Sequence, residues 1–178
     1  MSILATIHQA AESQKLRFLV IGGLAVNHYG FSRETGDLDL LVSQPDRAGW
    51  LKFFSGLGYK IYNDGGNFIQ FSQPEQSAWP VDLMLVQEKT FAPIFGGSQD
   101  ANFYGIETRV PSLHHLLALK LHALKNTRFH RFLKDFLDVE NLMQINRLDV
   151  KSESIRELFL KYGTPDLYEK ISRTLADE

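Results

Sequence analysis

Cysteine is absent from this 178-residue chain. Its absence excludes disulfide bonds, thiolate metal ligands and thiol nucleophiles, and it fits a reducing cytoplasm. Long hydrophobic runs are also missing, because the longest apolar stretches fall far short of the roughly 20 residues that span a bilayer. The N-terminus lacks the basic stretch and following apolar stretch of a signal peptide. We therefore expect a soluble, cytoplasmic protein with no membrane partner.

The sequence also lacks an excess of either charge. Lysine and arginine number 19 and aspartate and glutamate 21, which gives a net charge of −2. This net charge does not indicate a protein that coats nucleic acid. A small basic patch from Arg128, Arg131 and Lys134 would not be visible in the net charge of the whole chain. A Gly-x-x-x-x-Gly-Lys-Ser/Thr loop is absent as well, which argues against a P-loop NTPase.

Enough apolar residues are present for a folded core. They make up 44% of the chain, which suffices for one core with a small appended lobe. The pattern predicts a mixed α/β (α+β) core over residues 1–111 and a helical C-terminal lobe over residues 112–178, packed on that core. The predicted strands are short apolar runs between turn residues: Phe18–Ile21, Leu38–Val42, Tyr59–Tyr62, Phe68–Phe71, Val81–Val86 and Phe103–Val110. The predicted helices have apolar residues at helical spacing: Ile3–Glu12, Leu24–Tyr29, Pro45–Leu57, successive helices between Pro111 and about Asn146, and the stretch 154–175.

Two aspartates stand at the start of the second predicted strand. Asp37 and Asp39 are two residues apart, so both side chains leave the same face of the strand. Two neighbouring carboxylates repel each other, and a divalent cation removes that repulsion. Carboxylate oxygens suit Mg²⁺, with Mn²⁺ as a substitute. Such pairs also occur by chance at solvated strand ends, so the pair alone does not establish a site.

A third aspartate, Asp82, occupies the start of the strand Val81–Val86. If that strand lies beside the strand of Asp37 and Asp39, a third carboxylate reaches the same place. Three carboxylates can hold two metal ions, which activate an attacking oxygen and neutralise charge on a transferring phosphate.

Two glycines, Gly22 and Gly23, end the first strand and open a helix. Free backbone N–H groups at such a turn favour phosphate, and glycine lets a bulky triphosphate approach the backbone closely. A plain turn between strand and helix is the alternative interpretation. Together with the three acids, the glycines favour a phosphate-binding site.

The order apolar-Gly-Gly, short helix, Arg-x-Thr-x-Asp-apolar-Asp resembles the nucleotidyltransferase superfamily with the polymerase-beta-like fold. More narrowly, it resembles the AbiEii-like minimal nucleotidyltransferases of toxin–antitoxin and abortive-infection systems. The resemblance implies that the two glycines hold the nucleotide phosphates and that the three aspartates bind metal. Arg33 and Thr35 occupy the family's matching positions before the acid pair. The chain departs from many members at Gly23, where they carry serine.

A lysine, Lys120, lies within an apolar helical stripe. An ammonium there is costly unless it snorkels to water or finds an anion, such as a triphosphate or a site carboxylate. The AbiEii-like family has a lysine in a similar Leu-Ala-Leu-Lys context. Its Lys-Asp-x-x-Asp element matches Lys134, Asp135 and Asp138, which implies that Asp135 orients Lys120 or a substrate group. An ordinary solvated helix face is the alternative for this element.

These features predict a magnesium-dependent nucleotidyltransferase that moves an NMP from an NTP to an acceptor hydroxyl. Asp37 and Asp39 would hold the metal ions, Asp82 would help to activate the acceptor, and Lys120 would offset phosphate charge. The acceptor could be tRNA, a protein or a small molecule, and a cognate toxin or antitoxin would be a partner. The alternatives are a non-catalytic nucleotide- or protein-binding member of the same fold and an aminoglycoside-type nucleotidyltransferase.

Overall fold

The computed structural model describes residues 3–126 and 129–176, without the side chains of residues 129–131. These residues divide into two compact units. The first, called the sheet unit, contains the residues up to Ala25 together with Arg33–Ser112. The second, the helical unit, contains Val26–Ser32 together with the residues from Leu113 onward. The segment Val26–Ser32 therefore groups with the C-terminal helices, whereas the sequence analysis placed it in the core.

The sheet unit is built on a five-stranded mixed sheet with the strand order β1-β2-β5-β4-β3. Strands β2 and β5 are parallel, and the other neighbouring strands are antiparallel. A separate antiparallel hairpin, β6-β7, follows. The strands are β1 (Phe18–Val20), β2 (Leu38–Ser43), β3 (Lys60–Asp64), β4 (Phe68–Ser72), β5 (Val81–Val86), β6 (Gln99–Phe103) and β7 (Ile106–Val110). Its helices are α1 (Ile3–Gln14), α2 (Gly22–His28, which continues into the helical unit), a 3₁₀ turn (Gln44–Asp46), α3 (Arg47–Gly56) and α4 (Glu88–Gly96).

Aromatic packing fixes helix α3 against the sheet. Trp50 and Phe54 of α3 are fully buried and stack with ring centroids 5.9 Å apart. Phe54 in turn lies 4.9 Å from Phe71 of β4, and Trp50 meets Phe18 of β1 edge-on at 5.9 Å. Burying such large side chains supplies much of the apolar stabilisation of the unit.

The helical unit consists of four helices and the segment 26–32. The helices are α5 (Leu113–Asn126), α6 (Phe129–Ile145), α7 (Glu153–Tyr162) and α8 (Pro165–Thr174). The Asn146 amide donates a hydrogen bond to the backbone oxygen of Tyr29 at 3.0 Å, which ties the segment to the end of α6. Among the described helices, none is long and apolar enough to cross a membrane.

Two local predictions were wrong. The predicted strand Phe103–Val110 is a hairpin, because Tyr104 and Gly105 both have positive φ, 56° and 83°, and reverse the chain. The predicted helical stretch 154–175 is interrupted at Gly163 and restarts at Pro165, where the Thr164 hydroxyl caps the new helix. Helix α4 and strand β6 were not predicted at all. The mixed α/β fold with a helical C-terminal part was predicted correctly.

Candidate metal and nucleotide site

Three carboxylates converge at one edge of the parallel strand pair. Asp39 of β2 is in register with Asp82 of β5, so the two side chains stand beside each other on the same face. Asp37 precedes β2 by one residue and shares the face of Asp39. One carboxylate oxygen from each of the three aspartates lies within 4.8 Å of the other two.

The surroundings of these carboxylates fit a divalent cation. Asp82 is only 4% exposed, and Asp37 and Asp39 are half-buried. Burying charged groups of one sign together is costly unless an opposite charge compensates them. The donor atoms are all carboxylate oxygens, which are the ligands that Mg²⁺ and Mn²⁺ prefer. The three aspartates therefore fit the metal that the sequence analysis expected.

Gly22 is positioned directly against Asp39. Its φ is +61°, in the left-handed region, and a Cβ at this position would lie 1.8 Å from Asp39 Oδ2. The neighbouring backbone N–H of Ile21 donates to the backbone oxygen of Asp39 at 2.9 Å. The glycine thus makes room for a carboxylate of the candidate metal site, a steric requirement that its predicted role in phosphate binding does not include.

Gly23 plays the same steric role toward the residues before the acid pair. A Cβ on Gly23 would lie 2.5 Å from Thr35 Oγ1 and 3.1 Å from Arg33 Nη1. The Thr35 hydroxyl donates to Asp37 Oδ1 at 2.9 Å. The structure therefore brings Gly22, Gly23, Arg33 and Thr35 into one cluster with the carboxylates, as residues that could contact a nucleotide.

Two amide residues that the sequence analysis missed extend the site across the sheet. Gln70 of β4 donates from Nε2 to Asp82 Oδ2 at 3.0 Å, and Asn63 of β3 donates from Nδ2 to Gln70 Oε1 at 3.0 Å. Gln70 is a polar residue within a predicted strand, and Asn63 follows the predicted strand Tyr59–Tyr62, whereas β3 extends to Asp64. These positions do not say which strand lies beside β5, so they could not have placed the two residues at the site.

Lys120 belongs to the helical unit, where it joins helix α5 to helix α6. Its ammonium lies 2.7 Å from Asp135 Oδ1 and 2.7 Å from Asp138 Oδ2. The side chains are 11%, 12% and 0% exposed, respectively. Lys120 therefore does not snorkel to water, and Asp135 and Asp138 do not form a solvated helix face. Lys134, which directly precedes Asp135, is exposed.

Comparison with known protein families shows which family the chain belongs to. The family described as the nucleotidyl transferase AbiEii toxin of type IV toxin–antitoxin systems matches residues 3–178. The chain belongs to this AbiEii nucleotidyltransferase family. Its members are nucleotidyltransferases, so family membership supports transfer of a nucleoside monophosphate in general. No curated protein matches the chain.

Solved structures of other nucleotidyltransferases share the fold at low sequence identity. The antibiotic-resistance factor ANT(2'')-Ia is 14% identical with a TM-score of 0.63, over 98% of this chain and 97% of that one. The lincosamide antibiotic adenylyltransferase LnuA is 16% identical with a TM-score of 0.57, over 80% of this chain and 95% of that one. An antigenic nucleotidyltransferase-like protein from Paracoccidioides brasiliensis is 15% identical with a TM-score of 0.57, over 96% and 90%. These similarities concern the fold alone.

Proposed function

We propose that this chain is the metal-dependent toxin component of a type IV toxin–antitoxin pair and transfers an NMP from an NTP to an acceptor hydroxyl. The observation that carries the proposal is the convergence of Asp37, Asp39 and Asp82 beside the glycine turn. Family membership supplies the reaction class and the expectation of a cognate antitoxin.

Asp37, Asp39 and Asp82 would hold the metal, which we take to be Mg²⁺ or Mn²⁺. When bound, the cation supplies positive charge that neutralises phosphate oxygens and lowers the pKa of a coordinated oxygen nucleophile. The remaining chemistry belongs to the chain. The acceptor oxygen bonds to the α-phosphorus, the bond from that phosphorus to the bridging oxygen breaks, and pyrophosphate leaves. Asp82 takes the hydroxyl proton as general base.

The nucleotide would be held by residues around the glycine turn. Gly22 and Gly23 have no side chains that would keep a triphosphate from the backbone. The guanidinium of Arg33 adds a positive charge next to Gly23. Within the helical unit, the proposal assigns Asp135 to orienting the Lys120 ammonium, and the 2.7 Å contact between the two groups supports this assignment.

Replacement of the acid pair tests this function. Asp37→Asn and Asp39→Asn keep the size of each side chain and remove its charge. We expect Mn²⁺ affinity to fall at least about 10-fold and transfer of label from α-labelled NTPs in cell extract to fall roughly 100-fold or more. Asp100→Asn is the matched control, because its side chain is 90% exposed and lies 3.8 Å from Arg109.

The labelled product distinguishes the possible acceptors. Label that appears in RNA, protein or a small molecule, and disappears in both variants, supports the enzyme and identifies its acceptor class. Unchanged transfer in the two variants would refute the assignment of the site. Binding of metal and NTP without transfer to any acceptor, tested with and without the product of a neighbouring gene, would replace the enzyme with a non-catalytic binding protein.

A further inference from the structure

A row of four polar side chains crosses the sheet at the candidate metal site. Asp39 of β2 is in register with Asp82 of β5, Asp82 with Gln70 of β4, and Gln70 with Asn63 of β3. Residues in register on adjacent strands lie on the same face and close together. The metal site therefore continues through two neutral amides to the edge strand.

The hydrogen bonds along this row have a defined direction. A carboxylate only accepts, so the Gln70 amide must turn its Nε2 toward Asp82 Oδ2, with the 3.0 Å contact that the structure shows. Its Oε1 then faces β3, where it accepts from Asn63 Nδ2 at 3.0 Å. Asn63 thereby orients the Gln70 amide, and Gln70 in turn orients the Asp82 carboxylate.

A bulge in the edge strand creates the last link. Ile61 pairs with Phe71, but the residue that pairs with Gln70 is Asn63, so Tyr62 is the extra residue of β3. Without the bulge Tyr62 would stand opposite Gln70. Bulges commonly re-aim a side chain beside a functional site. Here the bulge brings a side-chain donor to Gln70.

From this row we infer that Gln70 is a positioning residue for the metal site, which orients the Asp82 carboxylate and is itself oriented by Asn63. The inference rests on the proposed metal-binding function. Asp82 is nearly fully buried, so the direction of its oxygens depends on the protein groups around it. The bond from Gln70 to Oδ2 restrains rotation of the carboxylate and thereby the direction of both oxygens. Partners of this kind tune the affinity of a metal site without touching the metal.

The affinity of the protein for Mn²⁺, measured by calorimetry, tests the inference. Gln70→Met keeps the length of the side chain and removes the donor, and Gln70→Leu serves as a second variant if the first does not fold. We expect the Kd for Mn²⁺ to rise about 10-fold in either variant. Asn63→Ala should raise it about 3-fold, since loss of one exposed neutral hydrogen bond has a small effect. The double variant of Gln70 and Asn63 should bind no more weakly than the Gln70 variant alone, because both residues act through the same carboxylate.

A spectroscopic readout separates positioning from a structural role. The electron paramagnetic resonance spectrum of bound Mn²⁺ reports the arrangement of its ligands, and we expect it to change in the Gln70 variants. Ser72→Ala is the control, because Ser72 lies on the same face of β4 and its hydroxyl donates to the Lys60 backbone oxygen at 3.2 Å. Ser72→Ala removes a cross-strand hydrogen bond without touching Asp82, so the Kd for Mn²⁺ and the spectrum of bound Mn²⁺ should stay unchanged.

Failure of the inference and failure of the proposed function give different results. If Asp82→Asn abolishes Mn²⁺ binding but folded Gln70 variants keep the wild-type Kd and spectrum, Gln70 does not position the site and the metal site stands. If the wild-type protein binds no Mn²⁺, the proposed metal site falls and the role of Gln70 falls with it.

Discussion

Gly22 lies so close to Asp39 that any side chain at position 22 would overlap the Asp39 carboxylate. A Cβ on Gly22 would lie 1.8 Å from Asp39 Oδ2 and 2.7 Å from Asp39 Cβ. No rotation of a methyl group removes such an overlap, so either the backbone or the carboxylate would have to move. The glycine turn is therefore part of the candidate metal site, in addition to its proposed contact with phosphate.

Substitution of this glycine should disturb the metal site more than the fold. Gly22→Ala forces a side chain into the left-handed region, which costs about 1–2 kcal/mol, and displaces Asp39. We expect the Kd for Mn²⁺ to rise at least about 10-fold, measured together with the free energy of unfolding. Gly96→Ala is the control, because nothing lies within 4 Å of its Cβ position. Wild-type affinity in Gly22→Ala would show that the contact with Asp39 is unimportant.

The hydroxyl of Thr35 should support metal binding through Asp37. It donates to Asp37 Oδ1 at 2.9 Å. Thr35→Val keeps the shape and removes the donor, so we expect metal affinity to fall roughly 10-fold. Thr35→Ser retains the hydroxyl and should stay close to the wild type. Wild-type affinity in the valine variant together with a loss in the serine variant would show that packing of the methyl group, and not the hydroxyl, is the cause.

Lys120 should be important for the stability of the helical unit. Lys120→Met leaves Asp135 and Asp138 facing each other in a buried position with their bridging ammonium removed. Breaking a buried pair in this way costs about 3–5 kcal/mol, which denaturant unfolding followed by circular dichroism would measure. Lys170→Met is the control: its ion pair with Asp166 is 54% and 77% exposed, and such pairs contribute about 0.5 kcal/mol or less. Comparable losses in the two variants would contradict the prediction.

Glu88 should make the stability of the sheet unit depend on pH. The hydroxyl of Ser43 and the guanidinium of Arg17 donate to its carboxylate and hold the pKa of Glu88 below its usual value of 4.5. A lowered pKa means that the folded state binds the proton less readily than the unfolded state. The stabilisation is therefore complete above pH 4.5 and is lost as the pH falls through the lowered pKa.

The comparison of wild type with Glu88→Gln measures this dependence. The Tm difference between the wild type and Glu88→Gln should be largest above pH 4.5 and should shrink as the pH falls below 4.5. Ser43→Ala removes one donor to Glu88 and keeps Arg17. The Tm difference between this variant and the wild type should therefore be smaller and should follow the same trend with pH. A difference that stays constant over the whole range would show that Glu88 acts through packing alone.

Local patterns accounted for most of the fold and for part of the site. Alternating side chains put Asp37 and Asp39 on one face of a strand, and the Gly-Gly turn marked the place where that strand's neighbour ends. The hairpin at Tyr104 and Gly105 escaped prediction because tyrosine rarely adopts positive φ, so the residue gave no turn signal. Helix α4 escaped because Pro93 lies within it.

Residue types and their spacing predicted which side chains could bind a cation and which of them share a face, because side-chain direction repeats every two residues in a strand. The folded sheet was needed to place β5 parallel to β2 with Asp82 beside Asp39, and β4 next to β5 with Gln70. Strand order and register depend on the burial of the whole sheet, which joins residues far apart in the chain. The contact between Gly22 and Asp39 and the pairing of Lys120 with two carboxylates arise in the same way.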